Sequence, residues 1–265
     1  MGDESENASG AVGDSLRGTS SHAGTNSCPG ARCLVALCTF NERENLPTMV
    51  QQVHDALPAA EILIVDDDSP DGSGCWAEQQ ATQLPYLTAI VRRRARGLGG
   101  ALRTAIEFAL QGDYDWLLNL DADHSHDPYD LPRLLAAAKD GEQTLDCVVG
   151  TRYGAGGQIA GWTAGRRVMS RMVNRFATGV LRLPVSDCSG SLRCYRVAAL
   201  AALETTTLRS NGYAIFEELL LRLRKQGATF GEVPITFHER QAGESKLTFS
   251  EAGKAALQIM RLALH

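Results

Sequence analysis

The sequence predicts an α/β domain built on a mostly parallel sheet flanked by helices. Two observations carry this reading. Short runs that are apolar throughout, such as Leu34-Val35-Ala36-Leu37-Cys38 and Ile62-Leu63-Ile64-Val65, alternate with stretches of helical periodicity. A strand without in–out alternation is covered on both faces, as strands of parallel sheets are. Polar clusters follow directly after these runs, where ligands bind in such sheets. Composition agrees: 44% of the 265 residues are hydrophobic and 22% charged, an ordinary globular balance. The formal net charge is −5, so bulk charge gives no reason to expect nucleic acid or anionic lipid. No apolar run approaches the roughly 18 residues that span a bilayer.

Residues 1–30 are rich in Gly, Ser, Asn and Thr, with Val12 and Leu16 as their branched apolar residues, and are expected to form a disordered tail. Asp3, Glu4 and Glu6 stand where a secretory leader carries positive charge, so a cytoplasmic protein is expected. Seven scattered cysteines, with no C-x-x-C, are expected to be reduced thiols. The domain is placed at 31–250, with a C-terminal amphipathic helix over 249–265.

The first strand is followed by polar Thr39-Phe40-Asn41-Glu42 and a helix to about Ala56, with Leu46, Met49, Val50 and Val53 at helical spacing. The second strand, 62–65, ends in Asp66-Asp67-Asp68. Gly72 to about Leu84 reads as helix, Leu87 to Val91 as strand, and Gly100 to Leu110 as helix after a glycine-rich turn. Trp116 to Leu120 is a fourth strand ending in Asp121-Ala122-Asp123. Pro128 opens a helix, and Cys147-Val148-Val149 is a fifth strand leading to Thr151-Arg152. Beyond it, helices are expected over 166–181, 214–225 and 249–264, and strands over 192–197 and 230–237. Four polar clusters from distant parts of the chain thus converge on one sheet edge.

Asp121 and Asp123 suit a hard cation, Mg²⁺ or Mn²⁺, bridging a nucleotide diphosphate; the alternative is a solvated loop capping the next helix. Asp66 to Asp68 with Asp71 crowd like charges that ribose hydroxyls or base N–H groups would relieve, or they form a turn. His124 and His126 fit no standard zinc spacing and are read as loop histidines at a site rim. Arg92-Arg93-Arg94-Ala95-Arg96-Gly97 precedes a helix N-terminus, which suits phosphate binding or a solvated basic loop. Arg152, Arg166, Arg167, Arg240 and Lys246 add positive charge from separate segments.

In this order, several stretches resemble the dolichyl- or polyprenyl-phosphate mannosyltransferases of glycosyltransferase family 2. They are Thr39–Leu46, Val65-Asp66-Asp67-Asp68-Ser69-Pro70-Asp71-Gly72, Asp121-Ala122-Asp123-His124-Ser125-His126-Asp127-Pro128, Gly150-Thr151-Arg152-Tyr153, Gly161-Trp162, Arg166, Ser189-Gly190, and Glu232-Val233-Pro234-Ile235 through Arg240 to Gly243-Glu244-Ser245-Lys246-Leu247. The resemblance implies a GT-A, Rossmann-like fold, GDP-mannose as donor and a polyprenyl or dolichyl monophosphate as acceptor. It implies that Cys38, Phe40, Glu42, Val65 and Asp67 hold the donor nucleotide. Asp121, Ala122, Asp123 and Ser125 are implied at the metal–diphosphate site, with Asp121, Asp123 and Ser125 on the metal. Arg152, Arg240 and Lys246 are implied as donor or phosphate contacts and Arg166 as the acceptor-phosphate contact, so Asp123, Arg152 and Arg166 form the expected catalytic set. Cys38 stands where the family usually has Pro, and Phe40 where it usually has Tyr. Glucosyl transfer from UDP-glucose to the same lipid class, and a non-catalytic nucleotide-sugar-binding subunit, are the rival readings.

A lipid acceptor calls for peripheral membrane contact at the cytoplasmic face, or for a small membrane partner. Residues 166–181 mix Arg171 and Arg175 with Val168, Met172, Val173 and Phe176, which suits an anionic interface; packing on the sheet is the alternative. Residues 249–264 place Phe249, Ala252, Ala256, Ile259 and Ala263 on one side, mostly small residues with little interfacial area.

Overall fold

Buried strand and half-buried helix alternate strictly through the first half of the domain. The computed structural model describes residues 32–139, 144–239 and 249–264; the tail expected over 1–30 lies outside them. The order is β1 (Cys33–Thr39), α1 (Leu46–Ala56), β2 (Glu61–Asp66), α2 (Ser73–Ala81), β3 (Leu87–Val91), α3 (Leu98–Gln111) and β4 (Trp116–Leu120). A 3₁₀ turn, Pro128–Asp130, capped by the Asp127 side chain on the Tyr129 amide, leads into α4 (Leu131–Lys139) and β5 (Cys147–Thr151). The second half adds β6 (Gln158–Ile159), α5 (Ala164–Val180), β7 (Arg193–Arg196), α6 (Val197–Ala201), α7 (Ile215–Lys225), β8 (Phe230–Pro234), β9 (Thr236–Phe237) and α8 (Phe249–Ala263).

Seven strands form one sheet in the order β3-β2-β1-β4-β7-β5-β8. All neighbours are parallel except β7, which runs antiparallel between β4 and β5. The two faces of the sheet follow from the period of two along each strand. Leu34, Ala36, Leu63 and Val65 pack with Leu102, Ala105 and Ile106 of α3 and with Phe216, Leu219 and Leu220 of α7. Val35, Leu37, Ile62 and Ile64 pack on the other side with Met49 and Val53 of α1 and Leu131 and Leu134 of α4. Both faces are covered, which is why the strands read as continuous apolar runs.

The strand expected over 230–237 is two strands. At Ile235 the chain changes partner: its amide donates to the Thr151 carbonyl (3.0 Å), and its carbonyl accepts from the Gln158 amide (2.9 Å). β8 therefore belongs to the main sheet, and β9 pairs with β6 in a separate two-stranded sheet. The sheet register sets the site. Cys38 lies beside Val65, Thr39 beside Asp66 and Leu37 beside Leu120, so the carboxyl ends of β1, β2 and β4 open on one edge.

Candidate active site

A cleft of about 260 Å³ lies at this edge, lined by Cys38, Thr39, Phe40, Glu42, Asp67, Leu98, Ala101, Asp121, Ala122, Asp123 and Tyr213. Seven of the residues expected to hold the donor therefore share one cavity: Cys38, Phe40, Glu42, Asp67, Asp121, Ala122 and Asp123. Phe40 and Tyr213 are exposed aromatics on the wall of this cleft. The Cys38 thiol is pushed up to about 12 by burial and by the nearby Asp121 and Asp67 carboxylates, so it stays protonated and is no nucleophile at neutral pH.

The chain leaves β4 at Leu120 and turns at His124, whose φ is 58°. The turn puts the carboxylates of Asp121 and Asp123 on the same cleft. The Ser125 amide donates to Asp123 Oδ1 at 3.0 Å and so fixes the carboxylate. Two carboxylates side by side are hard oxygen donors of the kind Mg²⁺ or Mn²⁺ takes, with phosphate oxygens and water completing the shell. No group of three or more His, Cys, Asp or Glu able to hold a metal occurs among the described residues, so a cation here would depend on ligand oxygens as well.

Val65 and Ser125 do not line the cleft. Val65 is fully buried in the core, and Ser125 is fully buried behind Asp123. His124 is half-buried, whereas His126 differs from its reading as a rim residue. His126 is buried and meets Phe237 edge-on, with ring centroids 5.1 Å apart.

The crowded acids after β2 are satisfied from within the protein. Asp66 accepts from Thr39 Oγ1 (2.8 Å) and from the Ser69 amide (2.8 Å). Asp67 pairs with the Arg92 guanidinium and accepts the Gly97 amide at 2.6 Å. Arg96 pairs with Asp68, and Asp71 accepts the amides of Arg43 and Ser73. Arg92 and Arg96 thus brace the acidic turn. Asp67 still lines the cleft, but as an anchored side chain.

Arg152 is buried, with its Nε and Nη2 on the Asp187 carboxylate at 2.7 and 2.8 Å and Nη2 also on Ser189 Oγ. It lines a second cavity, about 450 Å³, with Tyr153, Gly157, Gln158, Ile159, Ala164, Arg167, Val168 and Arg171. Arg166 lies in the first turn of α5, capped by Thr163. Its guanidinium stacks 3.9 Å from the centroid of Trp162, and Nη1 is 2.6 Å from Glu239 Oε1. A chain of contacts joins these parts. The His238 amide donates to the Ser125 carbonyl, and Phe237 meets His126, Trp162 and the Arg152 guanidinium. Arg240 and Lys246 lie outside the described residues.

Leu98, Ala101 and Tyr213 are cleft residues that the sequence reading passed over. Gly97, with φ 127°, lets the chain enter α3 tightly, and a Cβ on Gly99 would stand 2.0 Å from the Ser210 carbonyl oxygen. This close approach brings the 210–213 segment against α3. Asn211-Gly212-Tyr213, a glycine turn opening a helix, was the sequence signal for it.

These features make an acidic cleft at the carboxyl ends of a doubly wound sheet, where ligands of such sheets bind. The chain belongs to glycosyl transferase family 2, whose family model matches residues 34–203. Within that family it is similar to the undecaprenyl-phosphate mannosyltransferase of Micrococcus luteus, with 36% identity over 88% of this chain and 94% of that protein. It is also similar to the polyprenol monophosphomannose synthase of Mycolicibacterium smegmatis, with 37% identity over 87% of this chain and 86% of that protein. Among solved structures it matches the glucosyl-3-phosphoglycerate synthase of Mycobacterium tuberculosis, crystallised with Mn²⁺, UDP and phosphoglyceric acid. The TM-score is 0.64 at 17% identity, covering 89% of this chain and 78% of that one. The architecture is the GT-A fold.

Proposed function

We propose that the chain transfers mannose from GDP-mannose to a polyprenyl or dolichyl monophosphate, inverting the donor linkage to give a β-linked product and GDP. The observation that carries this reading is the placing of Asp121 and Asp123 on one cleft at the carboxyl ends of β1, β2 and β4. The names of the two relatives above support the mannosyl group and the polyprenyl phosphate class.

An acceptor phosphate monoester has its second pKa near ~6, so at neutral pH it is mostly dianionic and needs no protein base. The tasks left to the protein are to hold the sugar's leaving group, to offset its charge and to bring two anions together. Phe40, Tyr213, Cys38 and Glu42 would frame the nucleoside. Asp121 and Asp123 would hold Mg²⁺ or Mn²⁺, which when bound stabilises charge on the leaving diphosphate. Ser125 would act by fixing Asp123 through its amide. Arg166, oriented by Trp162 and Glu239, would receive the acceptor phosphate. Arg152 would keep the wall between Tyr153 and Phe237 in place, and Arg240 and Lys246 would reach the donor phosphates. No helix among the described residues is long and apolar enough to cross a membrane. The enzyme would therefore meet its lipid peripherally at the cytoplasmic face, or with a small membrane partner.

The deciding experiment supplies radiolabelled GDP-mannose or UDP-glucose with a short polyprenyl phosphate and Mg²⁺ or Mn²⁺. Mannolipid from GDP-mannose alone supports the proposal. Glucolipid from UDP-glucose would replace it with the glucosyl reading. Nucleotide binding without any lipid product would mark a non-catalytic subunit.

A further inference from the structure

α5 is turned the opposite way to an ordinary surface helix. Its inward side is small and polar: Ser170, Asn174 and Ala177 are its buried residues. Ser170 Oγ bonds the Tyr153 hydroxyl at 2.6 Å. Asn174 Oδ1 accepts the Cys188 amide at 2.9 Å, and its Nδ2 donates to the Ser186 carbonyl. These bonds fix the rotation of the helix. Val168, Met172 and Phe176, spaced i, i+4, i+8, consequently face out, with exposures of 59%, 67% and 41%. The expected alternative, that this apolar face packs on the sheet, is not what the structure adopts.

The neighbouring helix adds to the exposed area. α8 packs against α5 and leaves Leu257 and Met260 exposed, as is Leu264 directly after it, while Ile259 is buried. Ile259, on the side read as apolar from the sequence, is thus turned inward. Of nine exposed large hydrophobic residues among the described residues, five belong to these two packed helices and a sixth, Leu264, directly follows α8, which is concentration rather than scatter.

Charge identifies what the patch faces. α5 carries four arginines and no aspartate or glutamate, in a chain whose acids exceed its bases by five, and Arg166 alone of the four pairs with a carboxylate among the described residues. Arg167, Arg171 and Arg175 are exposed beside the apolar stripe, and none has a carboxylate partner among the described residues. An apolar ridge flanked by arginines on a convex helix matches the headgroup region of an anionic bilayer: the ridge enters the acyl boundary while the guanidinium groups meet lipid phosphates. We propose that the outward face of α5 is a peripheral docking surface for anionic membranes, with Val168, Met172 and Phe176 as the inserted residues. This deepens the lipid-acceptor reading and rests on it for its purpose.

The test is flotation of the full chain with phosphatidylcholine vesicles, with and without phosphatidylglycerol. The expected result is binding to the anionic vesicles only, weakened by salt. The Met172→Glu/Phe176→Glu variant should lose about tenfold in bound fraction, with an unchanged circular dichroism spectrum and melting temperature. If that variant fails to fold, Met172→Gln/Phe176→Ser is read in its place. Arg171→Ala/Arg175→Ala should erase the preference for anionic lipid. Wild-type protein that stays unbound on both vesicles, or a folded variant that floats like wild type, overturns the proposal. So does a wild-type dimer in light scattering that these glutamates split, because the face would then belong to a second copy. Transfer to a water-soluble short-chain acceptor without vesicles separates the two readings: flotation without transfer defeats the proposed activity alone, and transfer without flotation defeats the docking surface alone.

Discussion

Arg152 and Asp187, 35 positions apart, form a buried bidentate ion pair in which Nε meets Oδ2 at 2.7 Å and Nη2 meets Oδ1 at 2.8 Å. The Arg152 amide donates to the same carboxylate at 3.0 Å. Burial pushes the Asp187 carboxyl up, and the guanidinium with its hydrogen bonds outweighs this and holds it below the usual range. The pair closes the loop 187–190 onto the end of β5.

Asp187→Asn leaves a buried guanidinium without its counter-charge and is expected to lower stability by about 3–5 kcal/mol. Because the folded carboxyl is held low, its contribution is present above the unfolded aspartate value of about 3.9 and lost as pH falls through the folded value. Urea unfolding of both proteins should show the gap at pH 7 and its closure in strong acid. A constant gap across that range would contradict the pairing.

Glu217 makes the opposite prediction. Burial, modified by Arg193, Asp187 and Arg152 nearby, raises its carboxyl to about 7. The folded state binds the proton more tightly than the unfolded chain, whose glutamate titrates near 4.3. Its contribution is full below that value and is lost as pH rises through about 7. Glu217→Gln should match wild type near pH 4 and exceed it at pH 8, as read by thermal unfolding in matched buffers.

Much of this was legible in the sequence, and the reason is physical. Leu34–Cys38, Ile62–Val65, Trp116–Leu120 and Cys147–Val149 declare themselves because both sheet faces are covered, and Asp121 and Asp123 mark the strand end that opens on the cleft. What stayed hidden depends on distant partners. Nothing local shows that Asp67 is answered by Arg92 or Arg152 by Asp187. The periodicity of α5 reveals an amphipathic helix but not which side turns inward, since that is decided by Ser170 and Asn174 finding Tyr153, Cys188 and Ser186. The break of 230–237 into two strands is likewise set by Ile235 reaching both Thr151 and Gln158.

Asp123→Asn keeps an oxygen to accept the Ser125 amide and removes the charge. Transfer should fall by about a hundredfold or more with little change in melting temperature, and excess EDTA should do the same to wild type. Initial rates with labelled donor decide this; a fully active variant would remove the cation from the mechanism.

Arg166→Ala should raise the KM for the lipid phosphate far more than that for the donor. Arg166→Lys should recover part of the loss, because a lysine restores the charge but neither the planar stack on Trp162 nor the fork toward phosphate. Equal changes in both KM values would assign Arg166 to holding Trp162 and Glu239 alone.

Strand β7 sits between β4 and β5 but is made more than forty residues after both of them. A chain emerging from the ribosome can assemble β1 to β4 early, because those pairings use only what has already been synthesised. The outer edge of β4 and both edges of β5 then wait for residues 193–196 and 230–234. Until those arrive, two apolar strands carry unsatisfied backbone edges. Nascent chains stalled before Arg193 should therefore bind chaperones and aggregate on release, whereas chains extended past Pro234 should resist proteolysis, giving biogenesis a late commitment step at the centre of the sheet.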